Sequence, residues 1–188
     1  MTVEPAICEV ERRYSITVNN LPQIEQKLTE LRFKPSYLQH QIDEYFTSKH
    51  KDFISSEECL RIRSINDRTI LTWKPPTTTD MRSAPEFWKE EIEFAVAAQP
   101  RLIKRFLEAL DFIPYVTVEK VRTAYINSIG VEISIDKVSH LGTFMEIEIK
   151  SADVARARRQ LADLARDLHL SDADISDVPY RDLVATKS

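Results

Sequence analysis

Glycine is nearly absent from this chain, whose 188 residues include only Gly130 and Gly142. Phosphate-binding loops of the Walker type and of dinucleotide-binding folds need several glycines, because their backbone must approach the phosphates closely. Sites of both kinds are therefore excluded. Each glycine falls where a turn is predicted, and a turn is where a positive φ is most useful.

Cysteine is equally scarce. Cys8 and Cys59 are too few for a disulfide framework, and they lack the spacing of a metal site. Their alternation with charged residues predicts that both are small, buried hydrophobes. The four histidines show no ligand spacing with them, and no serine lies in a nucleophile elbow. Neither a zinc site nor a serine hydrolase is predicted.

Long apolar runs and a strong net charge are missing too. No run approaches the ~20 residues that span a bilayer, and the first residues lack the features of a signal peptide. We therefore expect a cytoplasmic protein with no membrane partner. The net charge of −4 gives no global field that would attract nucleic acid. The length suits a single domain over residues 1–188, with its core at about 6–184.

Charged residues instead alternate with apolar residues in short segments of the chain. Residues two apart in a strand share a side, so each segment collects its charges on one face. A sheet with its apolar face against helices would then enclose a charged interior. The segments are 9–13, 61–63, 91–93, 120–122, 132–136 and 146–150.

The order of strands and helices predicts an α+β fold. Strands are predicted at 7–18, 37–47, 59–64, 69–74, 90–97, 115–126, 131–138 and 143–150. Short connections favour antiparallel pairing, and a barrel of about eight strands can hold one small ligand. We therefore expect a single domain, an eight-stranded antiparallel β-barrel with helices packed outside.

Three helices and one loop complete this prediction. A helix begins at Asn20, its expected N-cap, and another covers 153–168. The third, over 101–110, is predicted to bury five residues: Leu102, Ile103, Phe106, Leu107 and Leu110. The segment 77–85 is rich in threonine, serine and proline and is predicted to be a mobile loop.

The charges on the inner face form an acidic set and a basic set. Paired carboxylates are hard oxygen ligands that suit Mg²⁺ or Mn²⁺, whereas arginine and lysine suit phosphate oxygens. Together they fit a metal-bound polyphosphate. Alternatively, any one pair of charged residues lies on a strand face that is exposed to solvent and binds no ligand. The acidic set is Glu9, Glu11, Glu146 and Glu148; the basic set is Arg61, Arg63, Lys74, Lys120 and Arg122.

The chain resembles the CYTH superfamily, the triphosphate tunnel metalloenzymes. Its segment Glu9-Val10-Glu11-Arg12-Arg13 is similar to their ExExK signature. Further segments match in order: 41–46, 60–63, 71–76, 90–94, 119–122, 136–148 and 179–183. The resemblance implies an eight-stranded antiparallel barrel whose tunnel binds a triphosphate with Mg²⁺ or Mn²⁺.

The resemblance also implies roles for single residues. The four acids of the acidic set would hold metal, and the five bases would hold phosphates. Arg13 and Asp136 would be catalytic, with Asp136 supporting the metal or its water. Arg13 replaces the signature lysine, which keeps the charge but loses proton transfer. His140 stands where a small residue is usual, and we expect it to crowd or polarise the tunnel mouth.

Segments 43–46, 52–60 and 180–183 are most similar to the class IV adenylate cyclase branch, which forms cyclic AMP and pyrophosphate from ATP. Other members hydrolyse tripolyphosphate, thiamine triphosphate or nucleotides. The sequence leaves three functions open: a cyclase, a triphosphate hydrolase, and a non-catalytic polyphosphate or nucleotide sensor. The expected partner is a nucleoside or inorganic triphosphate. A homodimer is left open.

Overall fold

The structure is a computed structural model that describes residues 7–82, 86–97 and 99–187. Its strands are β1 (Cys8–Ile16), β2 (Lys34–Ser48), β3 (Cys59–Ile65), β4 (Arg68–Lys74), β5 (Phe87–Glu90), β6 (Ile92–Val96), β7 (Phe112–Ile126), β8 (Glu132–Val138) and β9 (Gly142–Ser151). All pairings are antiparallel, in one sheet of order β5-β1-β9-β8-β7-β2-β3-β4-β6. The predicted α+β class and antiparallel barrel are confirmed.

The described residues contain one strand more than predicted, because the strand expected over 90–97 is divided at Glu91. β5 pairs with β1, where Glu11 faces Phe87, whereas β6 pairs with β4, where Thr69 faces Val96. β5 and β6 lie at opposite ends of the sheet order but are consecutive in the chain. This bent segment therefore joins the two edges and nearly closes the barrel.

The strand register brings charged segments together that are far apart in the sequence. Across the β1–β9 ladder, Glu11 faces Glu148 and Arg13 faces Glu146. Arg122 on β7 likewise faces Asp136 on β8. Directly opposite residues share a face of the sheet, so these charges all lie inside the barrel.

Of the helices in the described residues, the first, third and fourth cover the outer, apolar face, whereas the last packs against inward-facing residues of the barrel. The helices are α1 (Leu21–Glu30), α2 (Thr79–Arg82), α3 (Pro100–Ala109), α4 (Val154–Asp167) and α5 (Tyr180–Ala185). Leu28 of α1 and Leu161 of α4 pack with Val10, Ile133 and Ile147 in the largest core cluster. Asp153 caps α4 by accepting a 2.9 Å hydrogen bond from the Arg156 amide, whereas Asn20 makes no side-chain cap to α1.

The burial predicted for α3 was wrong for most of its side chains. Ile103 and Leu107 are buried, but Leu102, Phe106 and Leu110 are each more than half exposed. The helix packs on β3 and β7 through one narrow face. An apolar stripe shows which way a helix faces, but not how wide its contact is.

The segment 77–85 is not wholly irregular, since it contains the short helix α2. Residues 83–85 lie outside the described residues, so the mobility of this segment stays a prediction. The helix α5, which packs against β7, was not predicted as a helix. Among the described helices, none is long and apolar enough to span a membrane.

Candidate functional site

The inner face of the barrel surrounds a cavity of about 260 Å³. Ten of the eleven predicted site residues line it: Glu9, Glu11, Arg13, Arg61, Arg63, Lys74, Lys120, Arg122, Glu146 and Glu148. The eleventh, Asp136, is fully buried and bonds to two of these residues. The structure therefore brings together charges from β1, β3, β4, β7 and β9.

Three carboxylates meet at one part of the cavity. Oxygens of Glu9, Glu11 and Glu148 lie within 4.8 Å of one another. Burial, and then the negative charges of Glu9 and Glu11, raise the pKa of Glu148 to about 8, although Lys150 opposes the shift. Lys74 and Lys150, each 2.9 Å from Glu9, offset only part of this repulsion; a divalent cation would relieve the rest, and carboxylate oxygens are suitable ligands. The three side chains therefore fit a metal ion.

Glu146 belongs to a different group of charges from this triad. Its Oε1 accepts a 2.7 Å hydrogen bond from Arg13 Nε, and its Oε2 accepts one from Arg122. The register explains the difference, because Glu148 faces Glu11 whereas Glu146 faces Arg13. Its assignment as a metal ligand stays a prediction, and in this structure its partners are cations.

A carboxyl group that the sequence did not assign a role borders the triad. Glu91, at the bend between β5 and β6, hydrogen-bonds Glu9. Burial and then this bond raise the pKa of Glu91 to about 7. Burial alone would raise the pKa of Glu9, but the bond from Glu91 and the charges of Lys74 and Lys150 hold it well below its usual range. Two carboxyl groups this close oppose joint ionisation, so Glu9 and Glu91 share a proton.

The basic residues are held in place by buried acids. Arg63 donates to both oxygens of Asp43, at 2.6 and 2.7 Å. Arg122 donates to both oxygens of Asp136, at 2.7 and 2.6 Å, and Lys120 Nζ lies 3.0 Å from Asp136 Oδ2. Bidentate pairs fix the guanidinium planes, so the cations are oriented before any ligand binds.

Two basic residues retain capacity for a ligand. Among the described residues, the buried Nε of Arg61 has no hydrogen-bond partner, although its Nη2 lies 3.1 Å from Glu91 Oε1. Burial, and then the charge of Arg122, lower the pKa of Lys120 to about 8. Lys120 can therefore act as a proton donor near neutral pH.

Two predictions outside the charged sets were wrong. His140 is exposed in the β8–β9 turn with a φ of 62°, so it does not crowd the cavity, and its expected effect on the polarity of the tunnel mouth stays a prediction. Cys8 and Cys59 are half-buried rather than fully buried, and Cys59 lines the cavity. Cys59 lies two residues before Arg61, which places both on the inner face.

Sequence reasoning also missed several residues at the site. Asp43 lies on a strand that was correctly predicted, but only the β2–β3 register reveals Arg63 as its partner. The available signal was that Asp43 lies two residues before Tyr45 on β2 and so shares a face with this residue, which lines the cavity. Tyr180 of α5 lines the cavity as well, and no periodic pattern pointed to it.

Comparisons with known proteins agree with this architecture. A candidate adenylate cyclase of Methanocaldococcus jannaschii is 25% identical over 177 residues, which cover 93% of this chain and 98% of that protein. The structure of a Pyrococcus horikoshii protein superposes with a TM-score of 0.79 at 27% identity, covering 96% and 99% of the two chains.

A Hippeastrum protein, described as a candidate adenylyl cyclase with a dominant triphosphatase activity, superposes with a TM-score of 0.65 at 17% identity, covering 96% of this chain and 95% of that one. Residues 8–180 match the sequence model of the family described as CYTH domain. Since that match spans most of the sequence and the fold agrees with it, this chain belongs to the CYTH family.

Proposed function

We propose that this protein is a metal-dependent enzyme that acts on a triphosphate bound inside the barrel, and that it converts ATP to cyclic AMP and pyrophosphate. One observation carries the proposal: a carboxylate triad and a pre-oriented set of cations line the same cavity of about 260 Å³. The similarity to a candidate adenylate cyclase over 93% of the chain supports the choice of reaction.

Glu9, Glu11 and Glu148 would hold a Mg²⁺ or Mn²⁺ ion, because their oxygens lie within 4.8 Å of one another. Such an ion supplies charge neutralisation at the phosphates and polarises a phosphorus–oxygen bond. The raised pKa of Glu148 means that this carboxyl must lose a proton before it can serve as a ligand.

The cations would hold and orient the triphosphate chain. Arg63 and Arg122 are fixed by bidentate bonds to Asp43 and Asp136, so little orientational freedom remains to be lost when phosphate binds. Asp136 would therefore act as a positioning residue rather than as a direct participant in the reaction.

Different residues would transfer a proton and stabilise the phosphate charge. Buried beside Glu146, Arg13 has a pKa raised above its usual value, so it would stabilise phosphate charge without moving a proton. Lys120, with its pKa lowered to about 8 by burial and then by Arg122, is suited to protonate the departing pyrophosphate.

Hydrolysis of a triphosphate is the second candidate. The cavity lining is mostly charged, and its volume of about 260 Å³ is below the ~300–1,000 Å³ typical of small-molecule pockets, which suits a polyphosphate chain better than a whole nucleotide. The Hippeastrum protein, with its described triphosphatase activity, has the same fold. A hydrolase would orient water toward the γ-phosphorus instead of a ribose hydroxyl toward the α-phosphorus.

The products decide between these reactions. Purified protein is incubated with ATP, tripolyphosphate or thiamine triphosphate in the presence of Mg²⁺ or Mn²⁺, and the products are separated by ion-exchange chromatography. Cyclic AMP with pyrophosphate is the expected result. Orthophosphate would establish the hydrolase instead, and saturable binding without turnover would establish a non-catalytic sensor.

Metal binding is expected to release a proton near neutral pH. With a pKa of about 8, Glu148 is protonated at pH 7 in the metal-free protein and must ionise to bind a cation. Calorimetric titration with Mn²⁺ in buffers of different ionisation enthalpy should show roughly one proton released per ion at pH 7, and fewer at pH 9. Equal release at both pH values would contradict the role assigned to Glu148.

A further inference from the structure

The hydroxyl of Tyr180, at the start of α5, has no hydrogen-bond partner among the described residues. Tyr180 is 5% exposed and lines the same cavity as the charged residues. A buried hydroxyl without a partner is unfavourable, and such groups in folded proteins call for an explanation. This arrangement suits a hydrogen-bond partner that a bound ligand supplies.

The ring that carries this hydroxyl is held from several sides. Phe144 packs edge-on at 5.1 Å between ring centroids. The Arg13 guanidinium lies 4.0 Å from the centre of the Tyr180 ring, and Lys120 Nζ lies 5.0 Å from it. Arg181 anchors α5 by donating to the Glu58 carbonyl. Tyr180 is therefore positioned before a ligand enters.

Phosphate is the ligand chemistry that these neighbours suit. Arg13 and Lys120, the two cations on the ring, both line the cavity and were both expected to bind or act on a triphosphate. Burial, and then the charges of Glu146 and Asp136, raise the pKa of Tyr180 well above its usual value. The hydroxyl therefore remains protonated and can donate to an anionic oxygen.

We propose that Tyr180 donates a hydrogen bond to a phosphate oxygen of the bound triphosphate, which makes the C-terminal helix α5 part of the substrate-binding site. This inference rests on the proposed function, since it needs a triphosphate in the cavity. Tyr180 would add an uncharged hydrogen-bond donor to the acidic and basic sets, from a helix that the sequence did not predict.

The test compares Tyr180→Phe with the parent protein. The substitution keeps the ring, its packing on Phe144 and its contacts with the two cations, and removes only the hydroxyl. Calorimetric titration with tripolyphosphate and with a non-hydrolysable ATP analogue, each with Mn²⁺, should show a Kd raised about 10-fold or more for both ligands. The melting temperature should be unchanged or higher, because an unsatisfied hydroxyl is removed.

Tyr125→Phe is the matched control. The Tyr125 hydroxyl lies 3.3 Å from Glu25 Oε1, away from the cavity lining, so its removal should leave both Kd values unchanged. An unchanged Kd in Tyr180→Phe would overturn the inference, and so would a loss confined to the ATP analogue, since that would indicate contact with base or ribose. If the parent protein bound neither ligand, the proposed function itself would be refuted, and this inference with it.

Discussion

Glu148→Gln should lower turnover by ~100-fold or more while leaving the metal-free fold intact. The substitution removes one charged ligand from a group of three carboxylates whose oxygens lie within 4.8 Å of one another. Metal binding is weakened because only two charged ligands remain. Product formation is measured over a range of Mn²⁺ concentrations. The variant should also need more metal to reach half its maximal rate.

The same variant should be more stable than the parent at alkaline pH when no metal is present. Because the pKa of Glu148 in the folded protein is raised to about 8 from a usual value of 4.5, the folded state binds the proton more tightly than the unfolded state does. The parent therefore loses stability as the pH rises from about 4.5 to about 8, and Glu148→Gln should not share that loss.

Glu119→Gln provides the matched control for both measurements. Glu119 is exposed on β7, next to Lys120 in sequence but on the opposite face of the strand. Its carboxylate lies 2.7 Å from His40 Nε2, but both side chains are about half exposed, so loss of this surface pair should leave turnover unchanged and alter the pH dependence of unfolding little. Unchanged turnover and unchanged metal dependence in Glu148→Gln would remove this residue from the proposed metal site.

Arg63→Ala should weaken triphosphate binding by ~1.5–3 kcal/mol, the range for hydrogen bonds to charged groups. It should also lower the free energy of unfolding by ~3–5 kcal/mol, because Asp43 is left buried without its bidentate partner. Denaturant unfolding measures the second effect, and titration with a non-hydrolysable triphosphate measures the first. A solvated strand residue would change either quantity by less than ~0.5 kcal/mol.

A double variant separates these two effects. Adding Asp43→Asn to Arg63→Ala removes the unpaired charge and should recover much of the stability, but not the affinity. Arg159→Ala, on the exposed side of α4, serves as the matched control and should alter neither quantity. Recovery of affinity in the double variant would show that Arg63 acts only through the fold.

The barrel was predictable because its charged interior makes charged and apolar residues alternate clearly along each strand, with a period of two. In β3, Arg61 and Arg63 alternate with the fully buried Ile62, so the sequence itself distinguishes the two faces. The bend at Glu91 was not predictable in the same way. Alternation continues through it, and only the change of pairing partner from β1 to β4 divides the strand.

The sequence indicates which charged residues share a face of the sheet, but it does not indicate which of them lie close to one another. Glu146 and Glu148 lie on one side of β9, but two residues of strand separate them by ~6.6 Å. Their neighbours across the ladder, Arg13 and Glu11, give them opposite surroundings. Pairing register depends on contacts distant in sequence, so alternation alone could not show that Glu146 lies among arginines.

The most direct test of a metal-bound triphosphate in this barrel is anomalous diffraction at the manganese absorption edge. Crystals are grown or soaked with Mn²⁺ and tripolyphosphate. The expected result is an anomalous peak within ligand distance of Glu9, Glu11 and Glu148, with phosphate density extending toward Arg63 and Arg122. Manganese bound elsewhere, or a barrel without phosphate at saturating ligand, would contradict it.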